Sequence, residues 1–285
     1  MTFINGHIVQ FYNTSDDRLA HTVEIGAGYW NIIEFSSDSK KAFVSSTQIS
    51  TGKIAEIDMT YFVHQTDLPF SADSPHGLHV SEDGNILYVS AQSSNYITKI
   101  HLDDLSTDNV FLGGSGPHQI EFAPGDSVYY VSCQNTNEVR VFRASDDSFI
   151  TSIPVGAFPQ EMEVSESDPF LYVTCTEDPS GPNQKGSVYV INYLTNQVVY
   201  HLYTGFQPHG IDIDDEHRVV YVANLNYDAT GPAPHHVSDC GGRNGYVTII
   251  DMNTRQLLNI NLPDGSSYTY KNEVLRFPYE IAYRK

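Results

Sequence analysis

The sequence predicts an all-β chain folded as a single β-propeller spanning residues 1–285, and three observations carry that reading. A proline-led hexapeptide recurs at steps of 42, 42 and 49 residues: Pro75-His76-Gly77-Leu78-His79-Val80, Pro117-His118-Gln119-Ile120-Glu121-Phe122, Pro159-Gln160-Glu161-Met162-Glu163-Val164 and Pro208-His209-Gly210-Ile211-Asp212-Ile213. Each copy is followed by three more short runs, rich in β-branched and aromatic residues and bounded by Gly, Asn, Asp or Pro, which is the composition of strands and turns. No segment sustains a 3.6-residue period, so helices should be nearly absent. Four strands per unit of about 40–50 residues is the pattern of a propeller blade.

The elements follow in order. The hexapeptide is the first strand of a blade, with looser copies at Trp30-Asn31-Ile32-Ile33-Glu34-Phe35 and Pro278-Tyr279-Glu280-Ile281-Ala282-Tyr283. The second strand reads Phe43-Val44-Ser45, Tyr88-Val89-Ser90, Tyr130-Val131-Ser132, Tyr172-Val173-Thr174 and Tyr221-Val222-Ala223. Runs such as Val139 to Phe142 and Val188 to Ile191 form the third. Weaker runs such as Phe149 to Val155 and Val198 to Tyr203 form the fourth. The chain opens inside a blade: Gly6 to Tyr12 reads as a third strand and Leu19 to Ile25 as a fourth. It ends on Glu280 to Tyr283, a first strand that would complete that blade and leave no open edge. The count is six four-stranded blades, one shared between the termini. Seven is the alternative if the chain is part of a longer protein.

Composition excludes several functions. Lys and Arg total 15 against 35 Asp and Glu, a formal charge of −20. No basic surface suits a phosphate backbone, so nucleic acid is not an expected partner. An anionic membrane would repel the chain, and no apolar run approaches the ~18 residues of a membrane span. Cys133, Cys175 and Cys240 are too few for a disulfide framework. Cys133 and Cys175 close equivalent strands in neighbouring blades and are expected to be buried free thiols. There is no Gly-x-Ser-x-Gly elbow, CxxC pair or HExxH helix.

Propeller topology sorts candidate site residues by face. The loop into strand 1 and the loop from strand 2 to strand 3 share a face. There the residue after each repeat proline falls: His76, His118, Gln160, His209 and Tyr279. The long loop from Leu225 to Asn244 opens on the same face and carries His235, His236, Cys240 and Arg243. Imidazole and thiolate suit copper or zinc, so His76, His118, His209, His235, His236 and Cys240 form the candidate metal set. Arg243, Gln160 and Tyr279 are candidate ligand contacts. The bland alternative is a repeat turn in which each histidine caps a backbone carbonyl. A second set, Glu34, Glu121, Glu163 and Asp212, sits four positions after Trp30 or the proline and alternates with apolar neighbours. These carboxylates would line a channel and repel one another unless relieved by water, raised pKa values or a cation. Their oxygens suit calcium.

The Tyr-Val-Ser/Thr/Ala strands, with the Ser81-Glu82-Asp83-Gly84 and Asp214-Asp215 turns, resemble the YVTN-type propeller repeat family across almost the whole chain. Ser74-Pro75-His76-Gly77, followed by Val80-Ser81-Glu82-Asp83-Gly84, resembles a segment of the nitrous oxide reductase propeller, and Gly116-Pro117-His118 is similar to a second one. The resemblance implies that His76 and His118 are copper ligands. No second copper-site motif or cupredoxin segment is visible, so binding rather than reductase activity is expected. The acidic set is analogous to the channel of six-bladed calcium-dependent hydrolases of the lactonase and phosphotriesterase type, although no motif of theirs is matched. The expected function is a binding propeller whose histidine-rich face holds a transition metal or small ligand. The alternatives are a metal-dependent enzyme, either redox or acting on a lactone or glycan, and a scaffold for a protein partner. Family resemblance points to a secreted or periplasmic setting, with a leader outside this sequence.

Overall fold

The computed structural model describes residues 6–13, 15–16, 18–47, 52–70, 74–181, 185–226, 245–261, 267–269 and 272–273. Among them every regular element is a strand. Strands β1 (Gly6–Tyr12) and β2 (Leu19–Gly28) form a two-stranded hairpin. Five sheets follow. The first holds β3 (Trp30–Phe35), β4 (Lys41–Ser46), β5 (Lys53–Asp58) and β6 (Val63–Leu68). The second holds β7 (Pro75–Val80), β8 (Ile86–Ala91), β9 (Tyr96–His101) and β10 (Thr107–Phe111). The third holds β11 (Pro117–Phe122), β12 (Val128–Cys133), β13 (Glu138–Arg143) and β14 (Phe149–Pro154). The fourth holds β15 (Ala157–Val164), β16 (Phe170–Glu177), β17 (Gly186–Asn192) and β18 (Gln197–Gly205). The fifth holds β19 (Pro208–Asp214), β20 (Val219–Asn224), β21 (Tyr246–Asp251) and β22 (Gln256–Leu257). A small hairpin, β23 (Asn259–Asn261) with β24 (Ser267–Thr269), comes next, and β25 (Asn272–Glu273) pairs with β21.

Within each sheet consecutive strands are neighbours, as in a four-stranded blade. The hairpin β1–β2 matches the third and fourth strands expected at the start of the chain. Its proposed completion by Glu280 to Tyr283 lies outside the described residues. So do Tyr279, His235, His236, Cys240 and Arg243. Among the described residues there are therefore five whole blades and the β1–β2 hairpin.

The chain divides into two compact units: residues 1–131 with 142–149, and 132–141 with 150–285. In each, the core lies between adjacent blades. In the first unit Ile32, Phe43 and Ile54 pack with Leu78, Val80, Leu87, Val89 and Ile100. In the second, Tyr172, Val188 and Val190 pack with Ile211, Ile213, Val220, Val222 and Ile250. These residues alternate along their strands because successive side chains point to opposite faces of a sheet. Each buried aliphatic contributes roughly 1.5–3 kcal/mol. The outer strands β6 and β10 are largely exposed and polar, which blunts their edges.

Polar contacts reinforce the same packing. The Asp126 carboxylate accepts the Glu82 backbone N–H at 2.6 Å. In the second unit Asp215 accepts the Glu166 N–H at 2.8 Å and the hydroxyls of Ser165 and Ser167 at 2.5 and 2.6 Å. One turn aspartate thus clasps the preceding blade's turn in each unit.

Candidate functional site

The proline-led strand is not a regular strand. In β7 Pro75 pairs with Ala91 and Leu78 with Val89, so His76 and Gly77 together oppose the single residue Ser90. The same two-against-one shift occurs between Trp30 and Ile33, Pro159 and Met162, and Pro208 and Ile211. Such β-bulges bend the strand and re-aim one side chain. The residue before each repeat proline is in the left-handed region: Ser74 at φ 56°, Gly116 at 69°, Phe158 at 51° and Gln207 at 55°. Three of these four are not glycine, and backbone strain of that kind is held only where the surroundings over-determine it.

In the second and fourth blades a hydroxyl from the second strand fills the bulge. Ser90 Oγ accepts the Gly77 N–H at 2.8 Å and donates to the His118 carbonyl at 2.6 Å. Thr174 Oγ1 accepts the Glu161 N–H at 3.1 Å and donates to the His209 carbonyl at 2.6 Å. Ser45 donates to the His76 carbonyl and Ser132 to the Gln160 carbonyl, each at 2.7 Å. The third residue of the Tyr-Val-Ser/Thr run therefore ties one blade to the next. Buried hydroxyls and bulge amides need such partners. In the fifth blade Ala223 takes this place and offers no hydroxyl.

In the first unit the bulge brings two predicted ligands together. His76 and His118 are each 1% exposed. Their ring centroids lie 3.8 Å apart, tilted by 42°. A ring nitrogen of one lies within 4.8 Å of a ring nitrogen of the other. Burial pushes the His76 pKa down to about 4, opposed by a hydrogen bond from its ring to the His118 carbonyl. His76 is thus a neutral imidazole at pH 7, the form that binds metal. His79 is also held low, near about 4, by burial, against the opposing charge of Asp126, and it stacks on Phe122 with centroids 4.3 Å apart.

In the second unit His209 is buried in the equivalent bulge, 4% exposed. Gln160 is buried too, but its amide is engaged: Nε2 donates to the Phe158 carbonyl at 2.8 Å and Oε1 accepts from Gln134 at 2.8 Å. Beside it sits Glu161, 4% exposed. Repeat counting did not single out Glu161, because Gly77, Gln119 and Gly210 hold its position in the other copies. Its carboxylate in a proline-plus-two slot was the available signal. The hydroxyl clamps were also missed. Their signal was the recurrence of Ser or Thr after Tyr-Val.

The predicted channel carboxylates Glu34, Glu121, Glu163 and Asp212 are all half-buried. Burial raises the Glu34 pKa to about 7, partly offset by the Val80 N–H, which donates to Glu34 Oε1 at 3.3 Å. The Asp212 carboxylate accepts the neighbouring Ile213 N–H at 2.7 Å. Cys133 and Cys175 are buried free thiols, as expected, with pKa values raised by burial, to about 12 for Cys133. His101 and His217 lie elsewhere, against Asp108 and Asp214.

Comparison with known proteins places this geometry in a fold. A family model described as "Lactonase, 7-bladed beta-propeller" matches residues 38–152. No curated protein sequence matches the chain. Among solved structures, Kuenenia stuttgartiensis hydrazine synthase is similar at a TM-score of 0.68 and 18% identity, covering 83% of this chain and 67% of that one. A functionally unknown protein from Desulfotomaculum acetoxidans DSM 771 aligns at 0.67 and 12% identity, covering 88% and 77%. The β-propeller domain of Myceliophteria thermophila Cps50 (Swd1) aligns at 0.59 and 13%, covering 81% and 70%. At these identities the likeness shows the fold, a β-propeller, and nothing finer.

Proposed function

We propose that the protein is a binding propeller whose proline-plus-one face holds a transition metal, copper or zinc, with His76 and His118 as the first two ligands. The observation that carries this reading is the pair itself: two buried imidazoles from successive blades with ring nitrogens within 4.8 Å. A small rotamer change would bring both within the 2.0–2.1 Å of a metal–nitrogen bond. His209 stands at the same repeat position in the second unit and is the further candidate that the register offers. His235, His236 and Cys240 are the loop candidates, and Arg243, Gln160 and Tyr279 the contacts to a small ligand or protein partner. Bound there, the metal would act as a Lewis acid or a one-electron centre. The chain's own residues bury both imidazoles and hold His76 neutral.

The test is metal analysis of protein purified without chelator. Copper or zinc at about one equivalent, lost on replacing His76 or His118 by Ala with the fold intact, supports the reading. Calcium instead, lost on replacing Glu121 and Glu163 by Gln, moves the site to the acidic set. No metal and no Zn²⁺ binding by titration refutes it and leaves the scaffold reading.

A second reading, hydrolysis of a lactone by a metal-dependent enzyme, is favoured by one observation: the lactonase-described family match over residues 38–152. Turnover of a lactone panel that requires added metal and vanishes in His76→Ala would establish it.

A further inference from the structure

We propose that Ser90 is the positioning residue of the histidine pair: its hydroxyl holds together the bulge that carries His76 and the His118 carbonyl to which the His76 ring donates. Its consequence for a metal rests on the binding reading above.

Four groups form one closed circuit. The Gly77 N–H, one residue after His76, donates to Ser90 Oγ at 2.8 Å. Ser90 Oγ donates to the His118 carbonyl at 2.6 Å. The His76 ring donates to that same carbonyl. The peptide bond between His76 and Gly77 closes the loop. Ser90 is fully buried, so water does not substitute for it.

The circuit would bias His76 towards one tautomer, and so towards one nitrogen as the ligand. A neutral imidazole carries its proton on one nitrogen and its lone pair on the other. The nitrogen that donates to a carbonyl is the protonated one, so the other is the one able to coordinate. Metal-bound histidines are oriented in this way by an outer carbonyl or carboxylate. Here the carbonyl belongs to the second histidine, so aiming one ligand also fixes the backbone of the other. Without the hydroxyl, the bulge amide and the carbonyl each lose a partner. The ring is then held by a single bond to a less constrained acceptor. Thr174 makes the same two bonds in the fourth blade. A threonine should therefore serve at position 90.

The experiment uses the full chain, metal-free, with ¹⁵N-labelled histidine, and reads the tautomer of His76 from long-range proton–nitrogen correlations. A His76→Gln variant identifies the signals. The parent should show one tautomer, Ser90→Ala a mixture or the opposite one, and Ser90→Thr the parent pattern. If Ser90→Ala does not fold, Ser90→Cys, of similar volume and a weak donor, takes its place. A single unchanged tautomer in the folded Ala or Cys variant overturns the circuit. Titration with Zn²⁺ alone then measures the consequence: Ser90→Ala should bind about 10–100-fold more weakly and Ser90→Thr as the parent does. Equal affinity in parent and Ser90→Ala overturns the positioning role. A parent that binds no Zn²⁺ overturns the metal reading, and the tautomer spectra still decide the circuit.

Discussion

In the second blade His76 and Gly77 oppose Ser90, and in the fourth Gln160 and Glu161 oppose Thr174. Both bulges follow a residue with positive φ, Ser74 and Phe158. Both are filled by a hydroxyl that accepts the amide of the second bulge residue and donates to the next blade's carbonyl. Yet one presents an imidazole and the other a spent amide beside a buried carboxylate. The backbone device is common, and the chemistry is what each repeat loads onto it. Repeat residues that hold the bulge and repeat residues that could hold a ligand are therefore different sets, although they adjoin in sequence.

The strongest way to break the likeness is at Gly77. A Cβ there would lie 2.4 Å from the His118 carbonyl oxygen and 2.8 Å from the Gln119 Cα, both backbone atoms. Gly77→Ala should cost about 3 kcal/mol, read as a lowered denaturation midpoint with an unchanged slope. Stability equal to the parent's would mean that the blades are not so closely apposed.

Next comes the acid of the first blade. Glu34 has a folded-state pKa of about 7 against an ordinary 4.5. Below 4.5 both folded and unfolded chains carry the proton and the group is neutral in effect. As pH rises through 4.5 to about 7 the unfolded chain gives up its proton first, so stability falls, and above 7 the full penalty stands. Glu34→Gln keeps an acceptor for Val80 and removes that penalty. It should stabilise by up to about 3 kcal/mol at pH 8 and by nothing measurable at pH 4. Urea unfolding at the two pH values checks this, and a gain of the same size at both would dispose of the assignment.

A smaller effect is expected at Thr174. Its loss as Thr174→Ala strips partners from the Glu161 amide and the His209 carbonyl and should cost about 2 kcal/mol. Thr174→Ser should retain most of the stability. Equal losses in both would assign the effect to the methyl group instead of the hydroxyl.

The smallest effect is the control. His101 and His217 face Asp108 and Asp214 away from the bulges. Replacing either by Ala should leave Zn²⁺ or Cu²⁺ affinity in calorimetry within error, and a loss comparable to that of His76→Ala would move the site.

Much of the architecture was legible beforehand because its cause is local. The period of the proline hexapeptide and the alternation of Leu78, Ile120, Met162 and Ile211 with polar neighbours give four-stranded units without any knowledge of partners. The histidines were legible as candidates for the same reason: register alone puts His76, His118 and His209 at one place in the repeat. The bulge was not legible, since pairing two residues against one is a property of both strands. Glu161 escaped because it is unlike its repeat mates.

The sequence by itself determined an all-β propeller of repeated four-stranded blades, its acidic character and the position in the repeat at which imidazoles cluster, because side-chain periodicity and turn residues act over a few neighbours. Only the tertiary structure decided that His76 and His118 are buried with their rings 3.8 Å apart, and that Ser90 and Thr174 are clamps. Those facts depend on how closely one blade's bulge approaches the next blade's carbonyl. That distance is set by packing between segments some 30–40 residues apart, which no local pattern encodes.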